Sequence, residues 1–162
     1  MSALVDARVA GGDWNACGDT ETLAEAAARA ALAEAGLDPS RYEIGLLFTD
    51  DREIARLNAN FRGKPAATNV LSWPAFNLSP GETPPAAPHG PASLGDIALA
   101  AETVAKESQA QDLAVADHTA HLIIHGVLHL LGYDHEVDAE AEAMERIERA
   151  ALARLGIADP YC

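Results

Sequence analysis

The sequence predicts an α+β fold: a small mixed four-stranded sheet packed with about five helices, forming a single domain over residues 1–162. Three observations predict it. Apolar runs of strand length alternate with helix-length amphipathic segments through the first half of the chain. Three helical patterns then follow one another towards the end. The 162 residues suffice for one buried core without disulfides. With 49% apolar but only 5% aromatic residues, that core must be packed largely by small aliphatic side chains, many of them alanine.

The elements run in this order. Leu4 to Val9 alternates and reads as a short strand, closed by a turn at Gly11-Gly12-Asp13. Asp19 or Thr20 caps a helix that begins with Glu21 and Glu25 and runs through alanines to Gly36, with Pro39 beyond. Tyr42 to Thr49 is mostly apolar and bounded by turn formers, the pattern of a buried strand. Asp50-Asp51 opens a helix with Ile54, Leu57 and Phe61 at helical spacing, which Gly63 and Pro65 stop. Val70 to Trp73 is a short strand ended by Pro74. Residues 74–93 hold Pro74, Pro80, Pro84, Pro85, Pro88 and Pro91 and must be loop. Leu94 to Leu99 reads as a strand, Ala100 to Glu107 as a helix, Asp112 to Leu131 as a long helix closed by Gly132, and Val137 to Leu155 as the last helix.

Composition narrows the function classes. A formal net charge of −14 argues against binding polyanions over the whole surface. The charge is uneven, however. Residues 134–149 are strongly acidic and read as a solvated face, whereas residues 52–64 set Arg52, Arg56, Arg62 and Lys64 against Glu53, a local basic face suited to an anionic substrate. Cys17 and Cys162 cannot build a disulfide framework, no CxxC pair occurs, and two free thiols fit a reducing, cytoplasmic setting. The first residues lack the basic and apolar runs of a signal peptide. The most apolar helical stretch carries Asp117 and four histidines, which makes it a poor candidate for a membrane span.

Those histidines carry the chemistry. On a helix His121, His125 and His129 lie at about 0°, 40° and 80° around the axis, with His118 in the same band. The remaining circumference is apolar, so the helix is buried and its imidazole band faces a cleft or an ion. Imidazoles at i and i+4 reach one metal, and a left-handed exit at Gly132 lets His135 swing back as a third ligand. Three neutral ligands leave the ion's charge uncompensated and one position open, as in a catalytic site. Zinc suits such donors best, one ion per chain, with nickel or another divalent metal as alternatives. His121 reads as a hydrogen-bonded helix residue or a further ligand, His118 and His89 as incidental, and Asp134 as orienting His135 or capping the last helix. The spacing matches the metzincin proteases, but Gly126 stands where their general-base Glu belongs. A mid-helix glycine costs about 1 kcal/mol against alanine, so Gly126 implies that a neighbour needs the space.

The string His125-Gly-Val-Leu-His129-Leu-Leu-Gly-Tyr-Asp-His135 resembles that of the YbeY family of bacterial rRNA-maturation endoribonucleases. Leu57-Asn-Ala-Asn-Phe-Arg62-Gly-Lys64, Thr68-Asn-Val-Leu-Ser-Trp-Pro74 and Gly95-Asp-Ile97 extend the resemblance, in the family's order, over about residues 44–136. It departs where the family usually has Thr-Asp-Val-Leu-Ser-Phe: Asn69 removes a carboxylate and questions a catalytic role there, and Trp73 replaces Phe. The resemblance implies a zinc ion on His125, His129 and His135, cleavage of single-stranded RNA, and work on small-subunit rRNA in maturation and ribosome quality control. Its partners would be rRNA, the small ribosomal subunit and its assembly factors, with no membrane. It also implies a catalytic part for Arg62, whose guanidinium suits charge building on a phosphorane; the alternative is a solvated arginine on its helix's last carbonyls. Two other functions fit the residues: a metal-dependent peptidase or amidase, and a non-enzymatic assembly factor stapled by a structural metal. Phe48, Phe61 and Trp73 suit core packing better than base stacking.

Overall fold

The alternation of apolar and polar residues in the first strand has a partner on only one side, which makes it an edge. In the computed structural model, which describes residues 4–63, 66–134, 136 and 138–161 except the side chains of Phe61 and Arg62, β1 (Val5–Val9) pairs in parallel with β2 (Tyr42–Thr49) alone. β2 pairs in parallel with β4 (Ala92–Ala100), and the antiparallel β3 (Val70–Pro74) closes the other edge, giving the order β1-β2-β4-β3. The sheet is mixed and four-stranded, as expected. β4 starts at Ala92, two residues before the expected Leu94, because Tyr42 of β2 pairs with Ala92.

Helix α1 (Thr20–Glu34) is capped by Asp19, whose carboxylate accepts from the Thr22 amide at 3.2 Å. Its Ala24, Ala27, Ala28 and Ala31 are fully buried, so the alanine face is the packing face. Helix α2 (Asp51–Arg62) is capped by Asp50 and ends at Gly63 with φ 68°. α3 (Ala101–Ala110), α4 (Val115–Leu130) and α5 (Asp138–Arg154) complete the chain. The expected start of α4 at Asp112 is corrected: Asp112 has φ 55°, which no helix continues through, and Val115 opens the helix. Val137, the expected start of the last helix, lies outside the described residues.

Strand alternation divides the core. Ile97 and Leu99 of β4 join the main cluster with Ile123, Ile124, Val127 and Leu128 of α4, while Ala98 and Ala100 turn to the other face and meet Ile54 of α2. α2 and α4 therefore cover opposite faces. Phe48 is fully buried and packs edge-on against Trp14 at 5.0 Å, and Trp73 packs on the Ile54 cluster, so both aromatics serve the core. Phe61 has no described side chain. Cys17 is free and buried beside Thr119; burial pushes its thiol up, out of the reactive range. No described helix is long and apolar enough to cross a membrane.

Gly126 shows what its missing side chain is for. A Cβ there would lie 3.1–3.4 Å from three side-chain carbons of the buried Ile97. The glycine lets α4 settle directly onto β4, which fixes how deeply the histidine band sits.

Candidate functional site

Helix α4 is buried on every side but one, and the exception is the imidazole band. Ala120, Leu122 to Ile124, Gly126 to Leu128 and Leu130 are buried, whereas His121, His125 and His129 are each partly open. The Nε2 atoms of His125 and His129 face each other at 2.9 Å. His129 Nδ1 donates to the Tyr133 carbonyl at 2.9 Å, and His125 Nδ1 meets the Glu148 carboxylate at 3.4 Å. Carbonyl and carboxylate oxygens only accept, so both rings carry their proton on Nδ1 and turn the Nε2 lone pair inwards. A direct hydrogen bond across the 2.9 Å needs an extra proton; a shared cation satisfies both lone pairs at once. The donor set fits a divalent metal held by imidazole nitrogen.

His135 lies outside the described residues, so two of the three expected ligands are placed. Among the described residues no group of three metal-type side chains gathers. The turn that precedes His135 is described. Gly132 has φ 97°, its amide donates to His129 O at 3.1 Å, and the Tyr133 amide reaches back to Leu128 O at 3.0 Å. This is a Schellman cap, the left-handed exit expected from Gly132. It also delivers the Tyr133 carbonyl to His129 Nδ1. Asp134 accepts from the Glu136 amide at 3.3 Å; His135, which it is expected to orient, and Val137 before α5 lie outside the described residues.

Beside the two histidines opens a cleft of about 460 Å³, lined by Asn69, Ser72, Phe76, Asn77 and Tyr133 among others. Asn69 sits here because β3 borders α4. Its amide donates to Glu107 at 3.0 Å, and Glu107 in turn meets Nε2 of the buried His118 at 2.9 Å. The amide suits this position, because an aspartate at 69 would face Glu107 as a second negative charge. Asn69→Asp is expected to lose about 1–2 kcal/mol of stability in denaturant titrations. Glu107→Gln in the same chain should recover most of it; no recovery would show that the two charges do not meet.

Arg62 is the last residue of α2, and its side chain lies outside the described residues, as does Lys64. Seven residues after Arg62, Asn69 lines the cleft. In the expected basic face Arg56 is already paired with Glu53 one turn away, while Arg52 is exposed. His89 is exposed in the proline-rich loop.

Sequence reasoning missed Glu148, which it counted with the solvated acidic helix. It is 1% exposed. Its carboxylate accepts from His121 Nε2 in a short contact, from His125, and from the Tyr161 hydroxyl at 3.0 Å. His121 is therefore a hydrogen-bonded residue of the helix, the first of its two expected roles. Burial alone would raise the Glu148 carboxyl, but the hydrogen bonds from His121 and His125 outweigh it and hold the group at about 2. Burial, and then the Glu148 charge, push the Tyr161 phenol upwards. The spacing carried a signal: Met144, Glu148, Ala151 and Leu152 form the buried stripe of α5, so a carboxylate occupies a core position of the helical repeat.

A family model for endoribonuclease YbeY matches residues 15–156. A protein named endoribonuclease YbeY from Jannaschia sp. (strain CCS1) is 51% identical over 151 residues, covering 91% of this chain and 93% of that protein. One of the same name from Ruegeria pomeroyi is 53% identical over 146 residues, covering 86% and 88%. A Thermotoga maritima protein known from its solution structure shares the fold with a TM-score of 0.56 at 19% identity, over 93% of this chain and 92% of that one.

Proposed function

The chain belongs to the endoribonuclease YbeY family, and from that premise we propose that it is a zinc-dependent, single-strand-specific endoribonuclease. Its substrate is rRNA of the small ribosomal subunit, and it acts in maturation and quality control in the cytoplasm, beside that subunit's assembly factors. The observation that carries the reading is the pair of inward-facing Nε2 atoms of His125 and His129, 2.9 Å apart on the wall of a polar cleft.

His125, His129 and His135 would hold the ion, zinc by preference for imidazole, nickel or another divalent metal as substitutes. When bound there, the ion supplies Lewis acidity towards a phosphate oxygen or an attacking hydroxyl. The other roles fall to side chains. The Arg62 guanidinium neutralises charge on the non-bridging phosphate oxygens, where it is worth most in the transition state. Asn69, Ser72 and Asn77 line the cleft with groups able to hydrogen-bond a ribose or phosphate. Elsewhere the net charge of −14 repels RNA, so binding is confined to this cleft and to a ribosomal partner.

Elemental analysis of protein purified without an affinity tag should find one zinc per chain. Chelation should abolish cleavage of single-stranded RNA, zinc should restore it, and duplex RNA should resist. A 2′,3′-cyclic phosphate on the product would assign the attack to the 2′-hydroxyl; a 3′-hydroxyl with a 5′-phosphate would assign it to water. Cleavage that survives complete removal of metal, or turnover of peptides but not RNA, would overturn the reading.

A further inference from the structure

Glu148 is the least expected charge in the molecule. It lies on the apolar stripe of α5, 1% exposed, between Met144 and Leu152, which are also fully buried. A carboxylate removed from water costs several kcal/mol unless hydrogen bonds replace its hydration. The structure provides four contacts. Oε1 meets His125 Nδ1 at 3.4 Å and the Tyr161 hydroxyl at 3.2 Å; Oε2 meets the same hydroxyl at 3.0 Å and His121 Nε2 in the short contact. Tyr161 is itself held: its ring lies 5.4 Å beneath the Arg149 guanidinium, and Arg149 pairs with Asp159 at 3.1 Å.

We propose that Glu148 is a positioning residue: it fixes the tautomer and rotation of His125 as a metal ligand, and Tyr161 locks Glu148 from the segment that follows α5. The inference rests on the metal reading above. Because a carboxylate accepts and never donates, it compels the proton of His125 onto Nδ1 and turns the Nε2 lone pair towards His129 Nε2. His129 is fixed in the same sense by the neutral Tyr133 carbonyl, so the two ligands are oriented by acceptors from different elements. The carboxylate adds something the carbonyl cannot. Three neutral imidazoles leave a dication's charge unbalanced, and Glu148 supplies a negative charge one residue removed, making His125 a stronger donor without occupying a ligand position. A carboxylate bound directly to the ion would have filled the place an open site needs.

The test uses the full chain, freed of metal and titrated with cobalt(II), whose visible absorption reports the ligand field. Glu148→Gln keeps size and one acceptor but loses the charge; Tyr161→Phe removes only the hydroxyl. Glu148→Gln is expected to fold, to bind cobalt about 10–100-fold more weakly and to shift the absorption bands, and Tyr161→Phe to weaken binding in the same direction by less. Folded Glu148→Gln with wild-type affinity and spectrum would overturn the proposal. Should Glu148→Gln fail to fold, the unmodified protein still decides it: nitrogen NMR of the imidazoles must find the His125 proton on Nδ1, and a proton on Nε2 overturns the assignment. Failure of the underlying reading looks different, for then the wild-type protein takes up no cobalt and His129→Ala changes nothing.

Discussion

His129→Ala is expected to release the metal ion and with it at least about a thousandfold of RNA cleavage, while the protein stays folded. The fold should survive because His129 belongs to the partly open band of α4, not to its buried faces. Truncation leaves the Tyr133 carbonyl to water, a small loss beside the core. Arg62→Ala provides the contrast. It stands at the end of α2, a different element from the histidine helix, and is not one of the expected ligands, so it should keep a full complement of metal. Its cleavage should nevertheless fall about 10²–10³-fold, the cost of losing one charge-stabilising donor. Metal content and single-turnover cleavage separate the two roles. An Arg62→Ala protein that keeps its metal and cleaves at the wild-type rate removes arginine from the mechanism. If both variants support rRNA maturation normally in cells, the metal is a structural staple and the enzyme assignment fails.

The helices and the histidine band were legible because they rest on local periodicity. The band between apolar faces on α4, the caps at Asp19 and Asp50, and the stop at Gly63 each follow from residues within one or two turns. Gly126 was legible as a question and Ile97 supplies the answer, since only packing names the neighbour. The strand order β1-β2-β4-β3 was not legible: it depends on which strand a crossover returns to. Asp112 misled because acidic residues open helices, yet here the chain turns through positive φ first. Glu148 was missed for a related reason. Its charge resembles its neighbours', and the groups that make burial tolerable lie 27 and 23 residues before it and 13 after it. Counting charges along a helix cannot detect partners supplied by another element.

Gly132→Ala is the substitution expected to harm the structure most for its size, by about 3 kcal/mol or more, with a weakened metal site as the second effect. Two causes add. At φ 97° a side chain is strained whatever surrounds it. Here it also has no room: a Cβ would come within 2.2 Å of the Leu78 carbonyl oxygen and 2.7 Å of its carbon. Those atoms are backbone, so no rotamer relieves the clash. The loop through Phe76 and Leu78, which lines the cleft, must lift or the cap of α4 must unwind. Unwinding the cap withdraws the Tyr133 carbonyl from His129 Nδ1, and the imidazole loses the acceptor that holds its Nε2 towards His125. Lifting the loop opens the cleft to water. Denaturant titration and cobalt affinity, measured on the same protein, read the two consequences separately. A stability within about 0.5 kcal/mol of wild type, the scatter of an ordinary surface change, would mean that the loop does not lie against the glycine. Normal cobalt affinity despite a large stability loss would mean that the cap holds the helix end but does not aim the ligand.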